Sequence, residues 1–127
     1  MKLLLDTHTF LWFIEDNPRL SAEAKSLLES DVELLISAAS LWEIAIKVST
    51  GKLTLNQPYK EFIPDQLTKN GMGLLPISVE HLALVSALPF HHRDPFDRLL
   101  IAQASIEELP IVSIDNQFDP YGIKRLW

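Results

Sequence analysis

The sequence contains no cysteine, so disulfide bonds, thiolate zinc sites and cysteine nucleophiles are excluded. It also has no apolar run close to the roughly 20 residues that a membrane span requires. The apolar start at residues 3–5 ends at Asp6, before it reaches the length of a signal peptide. We therefore expect a soluble, cytoplasmic protein.

Positive charge is scarce as well: 11 Lys and Arg stand against 17 Asp and Glu, a net charge of −6 with histidine neutral. This balance argues against nucleic-acid binding through a broad basic face, but it is compatible with a site that binds a cation. Apolar residues make up 47% of the chain, which is typical of a folded globule. A length of 127 residues predicts one domain over residues 1–127.

Short apolar runs alternate with helical patterns along the chain. Strands are predicted at residues 3–5, 33–36, 74–77, 111–114 and 123–127, and helices at residues 8–15, 22–28, 38–48, 59–70, 79–88 and 95–108. Pro64 is expected to start, kink or split the helix at residues 59–70. This alternation predicts an α/β fold with a parallel sheet of four to five strands, covered by helices on both faces.

Four acidic residues fall where such a sheet binds ligands, outside the carboxyl ends of its strands. Asp6 directly follows the first predicted strand and Asp115 directly follows the fourth. Glu43 lies in the first or second turn of the helix after the second strand, and Asp97 in the first turn of the helix before the fourth. We therefore expect these carboxylates to converge.

Each of these acids also has an ordinary structural explanation. Asp6 is a candidate helix cap, Glu43 completes a capping box with Ser40, Asp94 followed by proline is a typical helix start, and Asp115 is suited to a turn. Four carboxylates at one edge would, however, repel one another. A hard divalent cation relieves that repulsion, so the sequence favours a metal site built from carboxylates.

Four segments, in order along the chain, resemble PIN-domain ribonucleases, especially the VapC toxins. They are LLLDT at residues 3–7, SLWEIA at 40–45, DRLLIAQA at 97–104 and VSID at 112–115 followed by Phe118. The resemblance implies a PIN-like three-layer α/β/α sandwich and a metal-dependent endoribonuclease that leaves a 5′-phosphate and a 3′-hydroxyl. It also implies RNA as substrate, a VapB-type antitoxin as partner, and a homodimer.

The resemblance assigns roles to particular residues. The family's metal-binding and catalytic acids, served by Mg²⁺ or Mn²⁺, are matched by Asp6, Glu43, Asp97 and Asp115. Ser113 stands where the family has a Ser or Thr that helps to hold water or substrate, and Thr7 and Asp94 are further accessory candidates. Asp97 is favoured over Asp94 as a metal ligand because the residues after Asp97 fit the family motif, which leaves Asp94 to cap the helix.

Basic residues near the same edge are candidates for RNA contacts. They are Arg93, Arg98 and Lys47, with Lys124 and Arg125 close by. Each is explained equally well as a solvated or ion-paired surface residue. His91 and His92 have no partner at a metal-ligand spacing, and we leave them out of the predicted site.

Three other functions fit parts of this pattern. The first is a PIN scaffold that binds protein and has no catalytic activity. A receiver-like signalling domain would need paired acids after the first strand, and a haloacid-dehalogenase-type phosphatase would need an acid where His8 stands. The first two helices carry more large apolar residues than one sheet face needs, and the resemblance to VapC toxins implies that some of them face an antitoxin or a second copy.

Overall fold

The computed structural model describes residues 1–127 as a regular alternation of strands and helices. The elements are β1 (Lys2–Leu5), α1 (Thr7–Glu15), α2 (Ala22–Leu28), β2 (Glu33–Ser37), α3 (Ala38–Ser49), α4 (Tyr59–Lys69), β3 (Gly73–Leu75), α5 (Val79–Ala87), α6 (Pro95–Ile106), β4 (Ile111–Val112), a 3₁₀ helix (Asn116–Tyr121) and β5 (Arg125–Leu126). All five predicted strands and all six predicted helices are present. The 3₁₀ helix was not predicted.

The five strands form one parallel sheet in the order β3-β2-β1-β4-β5. The order reverses between β1 and β4, and a crevice for ligands opens at such a reversal, outside the carboxyl ends of the strands. The receiver-like alternative is wrong, because receiver domains place their first strand beside the third.

Helices cover both faces of the sheet, because side chains point alternately to its two faces. Leu3 and Leu5 of β1 belong to a buried cluster with residues of α1 to α4. Leu4 faces the other way and joins Ile111 of β4 in a cluster with α6 and the 3₁₀ helix. The three-layer α/β/α sandwich is thus confirmed.

Helix boundaries correct two details of the sequence analysis. α3 begins at Ala38 with Ser37 as its N-cap, so Glu43 lies in the second turn and the capping box with Ser40 is wrong. α4 runs without interruption through Pro64, which neither starts nor splits it. Asp94 caps α6 as predicted, since its Oδ1 accepts hydrogen bonds from the N–H groups of Phe96 and Asp97.

The fourth strand is shorter than predicted. It ends at Val112, so Ser113 and Ile114 separate it from Asp115, which is the N-cap of the 3₁₀ helix. The apolar side chains Trp12, Phe13 and Ile14 of α1 are partly buried and pack against the core. None of the helices combines the length and apolar character that a membrane crossing demands.

Candidate active site

The carboxyl ends of β1 and β4 are joined through Asp6. Its Oδ1 accepts a hydrogen bond from the Thr9 N–H at 2.8 Å, so Asp6 caps α1. Its Oδ2 accepts one from Ser113 Oγ at 2.6 Å. Asp6 is 4% exposed and Ser113 is fully buried, which fixes the Asp6 carboxylate at the reversal point of the sheet.

Ser113 also holds Asp115 beside Asp6. The Asp115 N–H donates to Ser113 Oγ at 3.0 Å, so the hydroxyl that donates to Asp6 accepts from the backbone of Asp115. The Asp115 carboxylate has its own donors: Gln117 N–H to Oδ1 at 2.9 Å and His92 Nε2 to Oδ2 at 2.7 Å. In the structure, Ser113 therefore positions two of the predicted acids.

Glu43 reaches the same edge from the second turn of α3. Thr7 Oγ1 donates a hydrogen bond to Glu43 Oε1 at 2.8 Å and lies 2.9 Å from Ser40 Oγ. Lys47, one turn further along α3, lies with its Nζ 2.9 Å from Glu43 Oε2. The Glu43 carboxylate is therefore buried with a partner on each oxygen, and Thr7 connects it to the start of α1.

Asp97 differs from the other acids because its carboxylate accepts no hydrogen bond. Its close polar partner is His92 Nε2, 3.2 Å from Oδ2, and its side chain is only 23% exposed. Burial, followed by the negative charges of Asp94, Asp6, Glu43 and Asp115 in that order, raises the pKa of the Asp97 carboxyl to about 8. The predicted carboxylates therefore lie close enough to repel Asp97.

This set of oxygen atoms fits a hard cation. A carboxylate oxygen of Asp97, one of Asp115 and a ring nitrogen of His92 all lie within 4.8 Å of one another. Mg²⁺ and Mn²⁺ prefer carboxylate oxygens, and a cation here would supply the positive partner that Asp97 lacks. The predicted site omits His92, whereas the structure places its Nε2 within 3.2 Å of both Asp97 and Asp115. No spacing in the sequence signals this position.

Arg98 is not available to RNA, contrary to the prediction. It is 6% exposed, and its guanidinium donates to the backbone carbonyls of Val85, Leu88, Pro89 and His92 at 2.9–3.3 Å. The sequence could not reveal this, because the four carbonyls come from the last turn of α5 and from the connection between α5 and α6. A buried guanidinium needs several such acceptors, so Arg98 serves the structure of this connection.

The other predicted basic residues differ in their partners. Lys47 is ion-paired with Glu43, and Arg125 is ion-paired with Asp119 at 2.8 Å. Arg93 and Lys124 are exposed and form no ion pair. Arg93 therefore remains a candidate for phosphate contacts from the connection that carries His92.

Sequence reasoning missed an aromatic pair beside the acids, of which one member is exposed. Trp42 precedes Glu43, and Phe96 precedes Asp97. Their ring centroids lie 5.2 Å apart with the rings nearly perpendicular, and Trp42 is 58% exposed. A cleft of ≈ 290 Å³ lined by Phe96, Lys47 and Lys52, among others, adjoins this pair. An aromatic surface and two amino groups thus lie next to the carboxylates.

Comparisons with known proteins agree with this geometry. The family model described as PIN domain matches residues 3–124. Ribonuclease VapC22 of Mycobacterium tuberculosis H37Rv is 31% identical over 118 residues, which cover 91% of this chain and 88% of that protein. Ribonuclease VapC16 of the same organism is 39% identical over 70 residues, 51% of this chain and about half (48%) of that protein.

Solved structures with the same fold include VapBC complexes and a toxin–antitoxin complex from Klebsiella pneumoniae. VapBC2 from Rickettsia felis, bound to a promoter DNA fragment, superimposes with a TM-score of 0.73 at 16% identity, covering 99% of this chain and 98% of that chain. FitAcB from Neisseria gonorrhoeae gives 0.70 at 19% identity, covering 100% and 97%. The chain belongs to the PIN-domain family, and its relatives by sequence are VapC ribonucleases.

Proposed function

We propose that this protein is an endoribonuclease of the VapC type, the toxin of a VapBC-type pair, and that its activity depends on Mg²⁺ or Mn²⁺. One observation carries the metal dependence. Asp97 is a largely buried carboxylate that accepts no hydrogen bond and stands among other carboxylates. Burial of a carboxylate without a positive partner destabilises the metal-free protein, so this arrangement is expected where a bound cation completes the site.

The proposed reaction is hydrolysis of an RNA phosphodiester bond. The water oxygen bonds to phosphorus, the bond from phosphorus to the 3′-oxygen breaks, and a 5′-phosphate and a 3′-hydroxyl result. A divalent cation, when bound, lowers the pKa of a water nucleophile and stabilises charge on the phosphate oxygens. Asp6, Glu43, Asp97 and Asp115 hold the cation and orient the water, while Ser113 and Thr7 fix the carboxylates of Asp6 and Glu43.

The direct test measures cleavage of a defined single-stranded RNA by the purified protein with Mg²⁺ or Mn²⁺, and after removal of metal by chelation. We expect Asp6→Asn to lower the cleavage rate by about 100-fold or more. Loss of a residue that only hydrogen-bonds a metal ligand already lowers activity about 10- to 100-fold, and loss of a ligand itself should lower it at least as much. The Asn side chain keeps an oxygen that accepts from Thr9, so α1 stays capped.

Two results would contradict this proposal. Cleavage that persists in chelator, or at full rate in Asp6→Asn, would remove the metal site from the mechanism. A wild-type protein that binds an antitoxin but cleaves no RNA with either cation would favour the inactive PIN scaffold. Circular dichroism of each variant confirms that it is folded.

The RNA path includes the aromatic pair and the lysine-lined cleft. A base stacked on an aromatic side chain contributes about 1–3 kcal/mol. We therefore expect Trp42→Ala to raise the KM for single-stranded RNA about tenfold while kcat changes little. Kinetics with a short labelled RNA measure both constants.

Val79→Ala is the matched control, because Val79 is 83% exposed and lies outside the cleft. It should leave KM unchanged. If Trp42→Ala leaves KM unchanged while it weakens binding to the antitoxin, Trp42 belongs to a protein interface instead.

The proposal includes a VapB-type antitoxin, a second copy of this chain and a cytoplasmic site of action. Solved relatives of this fold are complexes of toxin with antitoxin. Co-expression with a small antitoxin-like protein encoded beside this gene tests the pairing. The antitoxin should co-purify and suppress cleavage, and size-exclusion chromatography of the toxin alone reports the homodimer.

A further inference from the structure

His92 stands between two of the carboxylates assigned to the metal site. Its Nε2 lies 2.7 Å from Asp115 Oδ2 and 3.2 Å from Asp97 Oδ2. The two acids belong to different segments, since Asp97 is on α6 and Asp115 begins the 3₁₀ helix. His92 is therefore the side chain that links the start of α6 to the edge of the sheet after β4.

The position of the His92 ring is fixed on several sides. The ring packs against Phe118, with centroids 5.5 Å apart. The His92 N–H donates to the Tyr121 hydroxyl at 2.7 Å, and the His92 carbonyl accepts from Arg98 at 3.3 Å. At 6% exposure, His92 has few other orientations open to it.

The hydrogen bonds also fix which nitrogen carries the proton. The backbone N–H of Asp94 donates to His92 Nδ1 at 3.2 Å, and a backbone N–H has only a donor to offer. Nδ1 is therefore an acceptor, so the proton of the neutral ring is on Nε2. Nε2 then donates to Asp115 and has no lone pair to offer a cation.

We infer that His92 is a positioning residue of the metal site rather than a ligand: its Nε2–H orients the Asp115 carboxylate beside Asp97, so that oxygens of both face one cation. This inference rests on the proposed function. Partners of this kind orient ligating carboxylates in many metal sites, and their loss typically lowers metal affinity about 10- to 100-fold.

Two substitutions separate this role from a purely structural one. His92→Gln places an amide N–H near the position of Nε2 and keeps the donor to Asp115. His92→Asn places an amide oxygen near the position of Nδ1 and keeps only the acceptor for the Asp94 N–H. We expect His92→Asn to lower Mn²⁺ affinity about tenfold or more, while His92→Gln stays close to wild type.

Isothermal titration with Mn²⁺ alone measures affinity, and thermal unfolding confirms that each variant folds. At subsaturating Mn²⁺, His92→Asn should lower kcat without changing the KM for RNA, and added Mn²⁺ should restore kcat. His91→Gln is the control, because His91 is exposed and touches Tyr121 rather than an acid. It should bind Mn²⁺ as wild type does.

Opposite results overturn the inference. Equal Mn²⁺ affinity in both variants and wild type, or loss in Gln but not in Asn, would show that Nε2–H does not serve the site. If the wild type itself binds no Mn²⁺, the proposed function fails together with the inference. The titration of the wild type therefore distinguishes failure of the proposed function from failure of the His92 inference alone. Nitrogen-15 NMR of His92 tests the inference in the wild type without any substitution. We expect Nε2 to keep its proton at saturating Mg²⁺. A deprotonated Nε2 that coordinates Mg²⁺ would overturn the inference.

Discussion

Asp97→Asn is expected to make the metal-free protein more stable while lowering RNA cleavage about 1,000-fold. Burial and the neighbouring carboxylates raise the pKa of Asp97 to about 8, so its ionised form is disfavoured in the fold. An amide of the same shape carries no charge to bury. We expect a gain on the order of 5 kcal/mol at pH 8 in chelator.

The pH dependence of stability follows from the same group. Between pH 4 and pH 8 the folded state keeps a proton on Asp97 that the unfolded state has released, because the pKa is raised from 3.8 to about 8. The metal-free wild type therefore loses stability as pH rises through this window and reaches the full loss above pH 8. In Asp97→Asn this contribution disappears, and saturating Mg²⁺ should remove it from the wild type.

Asp94→Asn is the matched control for Asp97→Asn. It also removes one negative charge from the start of α6, but Asp94 is the helix cap and asparagine caps as well as aspartate does. Denaturant unfolding in chelator at pH 5 and pH 8, with Mn²⁺ titration, compares the two. Loss of Mn²⁺ binding in Asp94→Asn but not in Asp97→Asn would exchange the roles assigned to these residues.

The sequence was sufficient to predict a parallel sheet covered on both faces and the edge of that sheet at which Asp6 and Asp115 lie. Strand and helix signals alternate clearly, and Asp6 lies directly beyond a buried strand, so the rule for parallel sheets places it correctly. Asp115 was placed at the right edge even though β4 ends at Val112, because Ser113 and Ile114 add little distance. These predictions depend on local patterns.

Contacts between distant segments could not be predicted. His92 belongs to the site because Phe118 and Tyr121, well over 20 positions later in the chain, hold its ring and backbone. Arg98 is buried because the last turn of α5 and the connection to α6 present four carbonyls to it. Neither fact leaves a periodic or spacing signal, so an arginine beside Asp97 was taken for a surface residue.

Arg98→Lys is expected to destabilise the protein by about 3 kcal/mol, which corresponds to a fall in Tm of roughly 10 °C for a domain of this size. The guanidinium donates to the carbonyls of Val85, Leu88, Pro89 and His92, and it lies 4.0 Å from the centroid of the Phe90 ring. A lysine ammonium is a compact point charge and cannot reach the same acceptors in a planar fork. Several carbonyls, most of them partly buried, would lose their donor.

Arg98→Lys is expected to affect activity through the position of His92. Its carbonyl is one of the four acceptors, so loosening the connection frees the ring that holds Asp115. Arg93→Lys is the control, because Arg93 is exposed on the same connection and forms no ion pair. It should leave Tm unchanged. The two hypotheses for Arg98 predict opposite results: an RNA-contacting Arg98 would raise the KM of the lysine variant at unchanged Tm, whereas the buried Arg98 lowers Tm and Mn²⁺ affinity together.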